Sequence, residues 1–383
     1  MKDKTNLIFC HKLIKAFADS MIKVFVPLII LKNSGSLKLA ILYVSAYYFL
    51  CGVLNLVLKR FLQKYGVVAM ILHAFPIIAL QFLLTIEINI WICLVIATLA
   101  AFGQVLYSVP LNILFAFSDR KVNVAKFQIA TNVGKLVFIV IGGFVIGSNV
   151  KNSILLLSVV ATVLYLASIV PIVFGYKMLK GAYNHIAEHP PHYDKKSYKL
   201  FNAYHIVFSI FQSVLDVVVP LYLFTKNITF ESVAIVMALT EVCKIGANIL
   251  AKFFVSKNKA IVSVFISVFL LSSSAIIMMF TNNEGLLYVC SCLIGVSFPL
   301  LFVPTFSSFI KKLKNDNNRF DGMSYRDVYI CVGKEVIYLP YFLLPTLIGQ
   351  FVIGIGAAVL ILVFSGKILV DKKVKTSSEP AKL

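Results

Sequence analysis

Acidic residues are scarce in this chain. Sixteen Asp and Glu stand against 36 Lys and Arg in 383 residues, a formal net charge of +20, and charged residues of both signs make up only 14%. Tryptophan is nearly absent, with Trp91 alone. No G-x-x-x-x-G-K-[ST] occurs, so no ATP-driven pump is suggested, and no nucleophile elbow or other catalytic constellation marks an enzyme. The seven cysteines lie almost all within apolar stretches and lack zinc-type spacing, so no metal centre or disulfide framework is expected and no cofactor is implied. The first apolar stretch carries Lys12, Lys15, Asp19 and Lys23, unlike a cleavable signal peptide. His185-Ile-Ala-Glu188-His189 fits the H-x-x-E-H of inverted zinc peptidases, but Pro190-Pro191 follows at once and no further ligand helix is apparent, so the match is read as incidental.

What the chain has is apolar mass: 60% of it is hydrophobic and its mean hydropathy is +0.92. A soluble fold could not bury this excess. The apolar residues fall in blocks of about 20, the length that crosses roughly 30 Å of hydrocarbon at 1.5 Å per residue. Twelve spans are expected, at roughly 7–31, 39–58, 66–86, 90–117, 126–147 and 153–175, then 200–225, 232–254, 260–281, 285–310, 325–347 and 350–370. The fold class is therefore an all-α polytopic membrane protein.

The basic residues divide by loop. One side holds the N-terminus, Lys59, Arg60 and Lys64, then Arg120, Lys121 and Lys126, the 176–199 segment, Lys252, Lys257 and Lys259, a cluster from Lys311 to Arg319, and the tail. The other holds only Lys32, Lys38, Lys151 and Lys226. Positive loops stay inside, so both termini are placed in the cytoplasm of a cell-membrane protein. Scattered in this way, the charge signals topology and no nucleic-acid partner. Trp91 sits at the outer end of span 4, where interfacial aromatics gather. The basic break at 176–199 separates an N-terminal half, 1–175, from a C-terminal half, 200–383.

The halves repeat each other. Phe17–Leu31 aligns with Ile210–Phe224 at an offset of 193, matching Ser20 with Ser213, Val24 with Val217 and Pro27 with Pro220. Asn55 meets Asn248 and Lys59 meets Lys252 at the same offset; Val109-Pro110 meets Val303-Pro304 at 194, and Val133-Gly134-Lys135 meets Val332-Gly333-Lys334 at 199. Six spans per repeat give both halves the same orientation. With its 6+6 topology, repeat and basic central loop, the sequence resembles the major facilitator superfamily over nearly its whole length. The family's G-x-x-x-D-R-x-G-R-R after its second helix is met here by Asn55-Leu-Val-Leu-Lys59-Arg60-Phe-Leu-Gln-Lys64-Tyr-Gly66. Arg60, Lys64 and Gly66 fit loosely, but Lys59 replaces the acid, so a gating salt bridge of the usual kind is not expected. The resemblance implies twelve transmembrane helices in two parallel six-helix repeats, with helices 3, 6, 9 and 12 facing lipid.

The deep charges agree with that arrangement. Spans 3, 6, 9 and 12 carry essentially none, while spans 1, 5, 7, 8 and 11 carry them all. Charge at membrane depth is costly and is turned toward water or the bundle interior. Span 1 places Lys12, Lys15, Asp19 and Lys23 on one face; span 7 answers with Gln212 and Asp216. Lys23 and Asp216 are repeat mates of opposite charge near the midplane, expected to pair when the outer side is closed. Span 5 has Asn132 and Lys135; span 11 has Asp327 and Lys334 on one face with Glu335 adjacent; span 4 adds Gln104. The expected solute and ion cavity is thus Asp19, Lys23, Gln104, Asn132, Lys135, Gln212, Asp216, Lys334 and Glu335, near neutral and strongly dipolar. Glu241 and Lys244 read as an i,i+3 structural or coupling pair. Pro110, Pro299 and Pro304 can kink spans 4 and 10. The expected function is secondary active transport of a small polar or amphiphilic solute by alternating access, with protons as a coupling ion suited to buried carboxylates, by a monomer in the bilayer. Two alternatives stay open: a lipid or lipid-linked sugar flippase on the same fold, and a non-transporting membrane receptor or assembly protein.

Overall fold

A computed structural model describes residues 2–117, 124–148, 152–187, 196–257, 259–315, 319–343 and 345–376. Arg120, Lys121, Lys151 and Lys195, with Glu188, His189 and His192 of the histidine-rich stretch, lie outside the described residues. Among those described there are helices and no strand.

The N-terminal half comprises α1 (Lys2–Met21), α2 (Val26–Ser34), α3 (Leu37–Val57), α4 (Lys59–Leu72), α5 (Ala74–Leu83), α6 (Ile90–Phe117), α7 (Val124–Gly147) and α8 (Ser153–Phe174). The segment expected to be a linker contains a helix, α9 (Tyr176–Ala187). The C-terminal half comprises α10 (Lys199–Ser213), α11 (Val219–Thr225), α12 (Phe230–Ser256), α13 (Ala260–Phe280), α14 (Glu284–Asn315), α15 (Arg319–Tyr338) and α16 (Leu347–Thr376).

Positions matched in the sequence alignment carry similar breaks and caps. A 3-10 turn, Lys23–Phe25, joins α1 to α2, and a π turn, Val214–Val218, joins α10 to α11. Pro27 and Pro220 follow these turns, each at the second residue of the next helix. Proline lacks an N–H and collides with the carbonyl four residues earlier, which weakens a helix at these two places, although α6 runs on through Pro110 and α14 through Pro299 and Pro304. Ser36 caps α3 by accepting from Leu39 N–H at 3.3 Å, and Thr229 caps α12 by accepting from Ser232 N–H at 3.3 Å. These too are repeat mates, 193 residues apart.

Packing follows the same rule. Helix α1 lies against α7 and α8 as α10 lies against α15 and α16; α3 packs on α6 as α12 packs on α14; α5 touches α8 as α13 touches α16. The glycine mates Gly134 and Gly333 show why such contacts can be close. A Cβ on Gly134 would press on Leu13 and Phe17 of α1, and one on Gly333 would collide with the Ile206 carbonyl and Ser209 of α10. Two seams join the halves, α3 against α15 and α7 against α12.

Where twelve apolar spans were expected, eight described helices are long and apolar enough to cross a bilayer, and α4 with α5, bent by 45°, makes a ninth. The helices that fall short are α1 with α2, α7 and α15. They carry Lys15, Asp19, Lys23, Lys135, Arg326, Asp327, Lys334 and Glu335, and this charge lowers their hydropathy. Burial sorts the rest. The apolar stretch of Lys199–Thr225 is 83% buried, whereas those of Ser153–Phe174 and Leu347–Leu369 are 39% buried. Outward-facing apolar side chains such as Val163, Phe269 and Val359 cover α8, α13 and α16, and Trp91 stands exposed at the start of α6.

Candidate functional site

Between the halves lies a cavity of about 480 Å³. Asp19 and Lys23 reach it from the α1–α2 element, Gln104, Ser108 and Asn112 from α6, and Lys135 from α7. The other half supplies Gln212 and Asp216 at the π turn, Glu241 and Lys244 from α12, and Arg326, Asp327 and Lys334 from α15. Helix α3 adds Tyr43, Tyr47 and Tyr48 in one wall, with Asn55 beyond them. Tyr43 and Tyr47 stack at 6.1 Å between ring centres, Tyr47 meets Tyr48 edge-on at 4.6 Å, and Tyr48 stacks on Tyr338 at 6.0 Å.

Most of the charges are already partnered. Asp19 accepts from Lys15 Nζ and from the Tyr165 hydroxyl, each at 2.5 Å. Lys244 binds Glu241 at 2.7 Å, as the i,i+3 spacing predicts. With its amide turned to donate, Asn132 reaches Glu241 Oε2 at 3.2 Å, tying α7 to α12. Arg326 binds Asp327 at 2.9 Å and lies over the Phe306 ring. Lys23 donates to Gln104 Oε1 at 2.9 Å, and Lys334 donates to the Tyr48 hydroxyl at 3.0 Å. Asp216, exposed toward the cavity, accepts from Gln212 at 2.9 Å. The expected Lys23–Asp216 ion pair is therefore not formed here, because each residue is held by a glutamine of its own half.

Two expected cavity residues point elsewhere. Glu335 does not line the cavity; it accepts from Ser45 of α3 at 2.7 Å, and its Oε1 is buried without a hydrogen-bond partner. Adjacent helical residues diverge by about 100°, so Lys334 cannot face the cavity and bring Glu335 with it. Asn132 lies behind the cavity wall, in the α7–α12 seam. The wall is consequently not the neutral set expected: it loses Glu335 and gains Arg326 together with Asp327, which sets five cations against four carboxylates. Arg326 and the tyrosine wall were not among the expected cavity residues, although Tyr43 and Tyr47 stand at i,i+4, a spacing that marks one helical face. A polar cluster behind Asp19 was missed as well: His11 donates to the Ser168 carbonyl at 2.6 Å, and His73 lies beside it at the α4–α5 bend.

The degenerate motif between α3 and α5 divides by contact. Lys59 forms an ion pair with Asp321 of α15 at 3.0 Å and lies over the Tyr325 ring. A salt bridge thus crosses the halves at the end of the molecule that carries α9, with its polarity reversed from the expected acid. Gly66 faces the Tyr183 ring of α9, and the Tyr183 hydroxyl donates to the Leu62 carbonyl at 2.7 Å. Gln63 donates to Ala187 at the end of α9 at 2.9 Å. Arg60 and Lys64 are exposed.

A charged cavity enclosed by two helical halves is the arrangement that the sequence resemblance implies, and the sequence profile of the Major Facilitator Superfamily matches residues 8–333. The chain belongs to that superfamily. Solved structures in it share the fold over almost their full length. A bacterial homologue of the iron transporter ferroportin, outward-facing with soaked iron, is 14% identical with a TM-score of 0.70, covering 95% of this chain and 98% of its own. The human organic anion transporter MFSD10 is 10% identical with a TM-score of 0.68, covering 95% and 99%. A POT family transporter in complex with 5-aminolevulinic acid is 14% identical with a TM-score of 0.66, covering 95% and 96%. At these identities the likeness to these superfamily structures is one of fold. No curated protein sequence matches the chain.

Proposed function

We propose that the protein is a secondary active transporter of a small polar or amphiphilic solute, crossing the membrane twelve times in two parallel six-helix halves and working by alternating access. The observation that carries this reading is the cavity between the halves, walled by charged residues from both. The repeated packing, in which α1 with α7 and α8 is answered by α10 with α15 and α16, supports the twelve-span count, with α1–α2, α7 and α15 as the charged spans. The basic loops support a topology with α9 and both termini on the cytoplasmic side of the cell membrane. The superfamily structures named above concern iron, an organic anion and 5-aminolevulinic acid, which favours transport over catalysis while leaving the solute open.

Proton coupling belongs to the same proposal. Asp216 and Glu335 have no cation at ion-pair distance among the described residues, and so are the carboxylates free to exchange a proton without breaking a salt bridge. Uptake driven by a pH gradient is expected to disappear in Glu335→Gln or Asp216→Asn while exchange of labelled solute persists.

Alternating access is tested with pairs of spin labels in a cysteine-free background. One pair, at Lys64 and Lys257, reports the α9 end; the other, at Glu87 and Glu284, reports the far end. All four positions are exposed. The distances are expected to change in opposite directions between two conformations. A single fixed distance at both ends, with and without ligand, overturns the reading and favours a non-transporting receptor.

A further inference from the structure

The partnering of the cavity charges narrows what the cavity can hold. Asp19, Glu241 and Asp327 each have a cation of their own in Lys15, Lys244 and Arg326. Lys23 is bonded to an amide and Lys334 to a phenol, both neutral. Lys135 lines the cavity with no hydrogen bond or ion pair among the described residues. Against these three lysines stands one carboxylate without a cation, Asp216. Its charge reaches Lys135 and Lys334, and Lys135 also feels Glu241 and Asp19, but none of these is at ion-pair distance from it.

An ammonium at membrane depth is costly unless it meets water or a counter-charge. Three such groups converging on one cavity leave an excess of positive charge that attracts an anion and repels a cation. The charge of Arg326 is balanced by Asp327 through one N–H, so the remaining cations are lysine point charges that accept a carboxylate or a sulfonate without demanding bidentate geometry. Beside them stands the tyrosine wall of α3, whose rings offer flat apolar area with polar tips.

We infer that the solute is an amphiphilic organic anion, its acidic group held among Lys23, Lys135 and Lys334 and its flat apolar body laid against Tyr43, Tyr47 and Tyr48. This substrate class rests on the transporter reading.

The test holds the body constant and varies the charge. The full chain in lipid nanodiscs is titrated with naphthalene-2,6-dicarboxylate, 2-naphthoate, naphthalene-2-carboxamide and 2-naphthylmethylammonium. Affinity is expected to fall in that order, with at least tenfold between the dianion and the amide. Lys135→Gln and Lys334→Gln are each expected to weaken dianion binding about tenfold and to weaken amide binding much less. Should either variant fold poorly, Asp216→Asn supplies the opposite sign. It removes the carboxylate that lacks a cation, strands no charged partner, and is expected to tighten dianion binding severalfold.

Equal or better binding of the amide or the ammonium overturns the anion assignment and leaves the transporter reading standing, as does dianion binding indifferent to all three substitutions. Absence of binding by all four probes also overturns the assignment. The spin-label distances then decide separately whether the transporter reading survives.

Discussion

Lys23 and Asp216 occupy equivalent places in the two halves, each four residues before a proline and each within an irregular turn. Each is bonded to a glutamine, Lys23 to Gln104 and Asp216 to Gln212, both at 2.9 Å. Opposite charges placed at symmetric breaks, held apart by neutral partners, can meet the solute as separate groups. Had they paired, the cavity would have one cation fewer and no free carboxylate.

Stability should distinguish such groups from the true pairs. In Lys23→Met or Asp216→Asn the partner left behind is a glutamine facing the cavity, where water replaces the lost bond, and the cost is expected to be about 1 kcal/mol or less. In Lys244→Met the buried Glu241 keeps only Asn132, and an uncompensated buried charge costs about 3–5 kcal/mol. The double variant Glu241→Gln/Lys244→Met is expected to recover much of that loss. Thermal unfolding of the four variants in one detergent checks the order.

How much of this was legible beforehand depended on distance along the chain. Glu241 with Lys244 declares a pair by i,i+3 spacing alone, whereas proline does not declare a break: Pro110, Pro299 and Pro304 lie inside continuous helices, and the irregular turns fall before Pro27 and Pro220. The repeat offset joined Lys23 to Asp216 and Gly134 to Gly333 without any coordinates. Direction was harder: Lys334 and Glu335 lie one residue apart, and only the packing of α3 on α15 shows that the first faces the cavity and the second faces Ser45. Long-range partners were not legible. Lys59 read as damage to a motif until the fold brought Asp321 beside it, and the 176–199 segment read as a loop although Tyr176–Ala187 is a helix docked on α4.

The reversed salt bridge makes a prediction of its own. The Lys59 side chain is 23% exposed and that of Asp321 is 5% exposed, so the pair is partly shielded from solvent. Lys59→Asp sets two acids against each other and is expected to open the α9 end. Lys59→Asp/Asp321→Lys restores the attraction, with a coupling of about 1–2 kcal/mol. Cys51 and Cys331 line the cavity, so mass spectrometry of maleimide labelling reports the opening. Labelling faster in the single variant and returned to the native rate in the double variant is the expected result; equal rates in both would show that the pair does not hold this end shut.

Docking of α9 depends on Gly66. A side chain there would strike the Tyr183 ring, which is buried and anchored to the Leu62 carbonyl. Gly66→Val is expected to displace Tyr183 and to cost about 1–3 kcal/mol, the usual range for overpacking. Tyr183→Phe removes only the hydroxyl and is expected to cost about 1 kcal/mol. Hydrogen exchange of the α9 amides should accelerate strongly in Gly66→Val and slightly in Tyr183→Phe. Unchanged exchange in both would mean that α9 is held by other contacts.

The prolines offer a sharper separation of stability from action. At Pro27 the missing N–H leaves the Lys23 carbonyl to the Val26 N–H, which closes a tighter 3-10 turn. Pro27→Ala returns a donor for that carbonyl, so α1 and α2 can merge into one continuous helix. The gain is expected to be about 1 kcal/mol or less, seen as an unchanged or higher unfolding temperature. A continuous helix also rotates and raises Lys23 relative to Gln104, taking a cation from the cavity and stiffening the element at its far end. Pro27→Ala is therefore expected to weaken dianion binding severalfold and to narrow the Glu87–Glu284 spin-label distances to one population, while the protein remains as stable as the parent. Full binding and two populations in this variant would show that the break at Lys23 is an accident of packing and has no part in the switch.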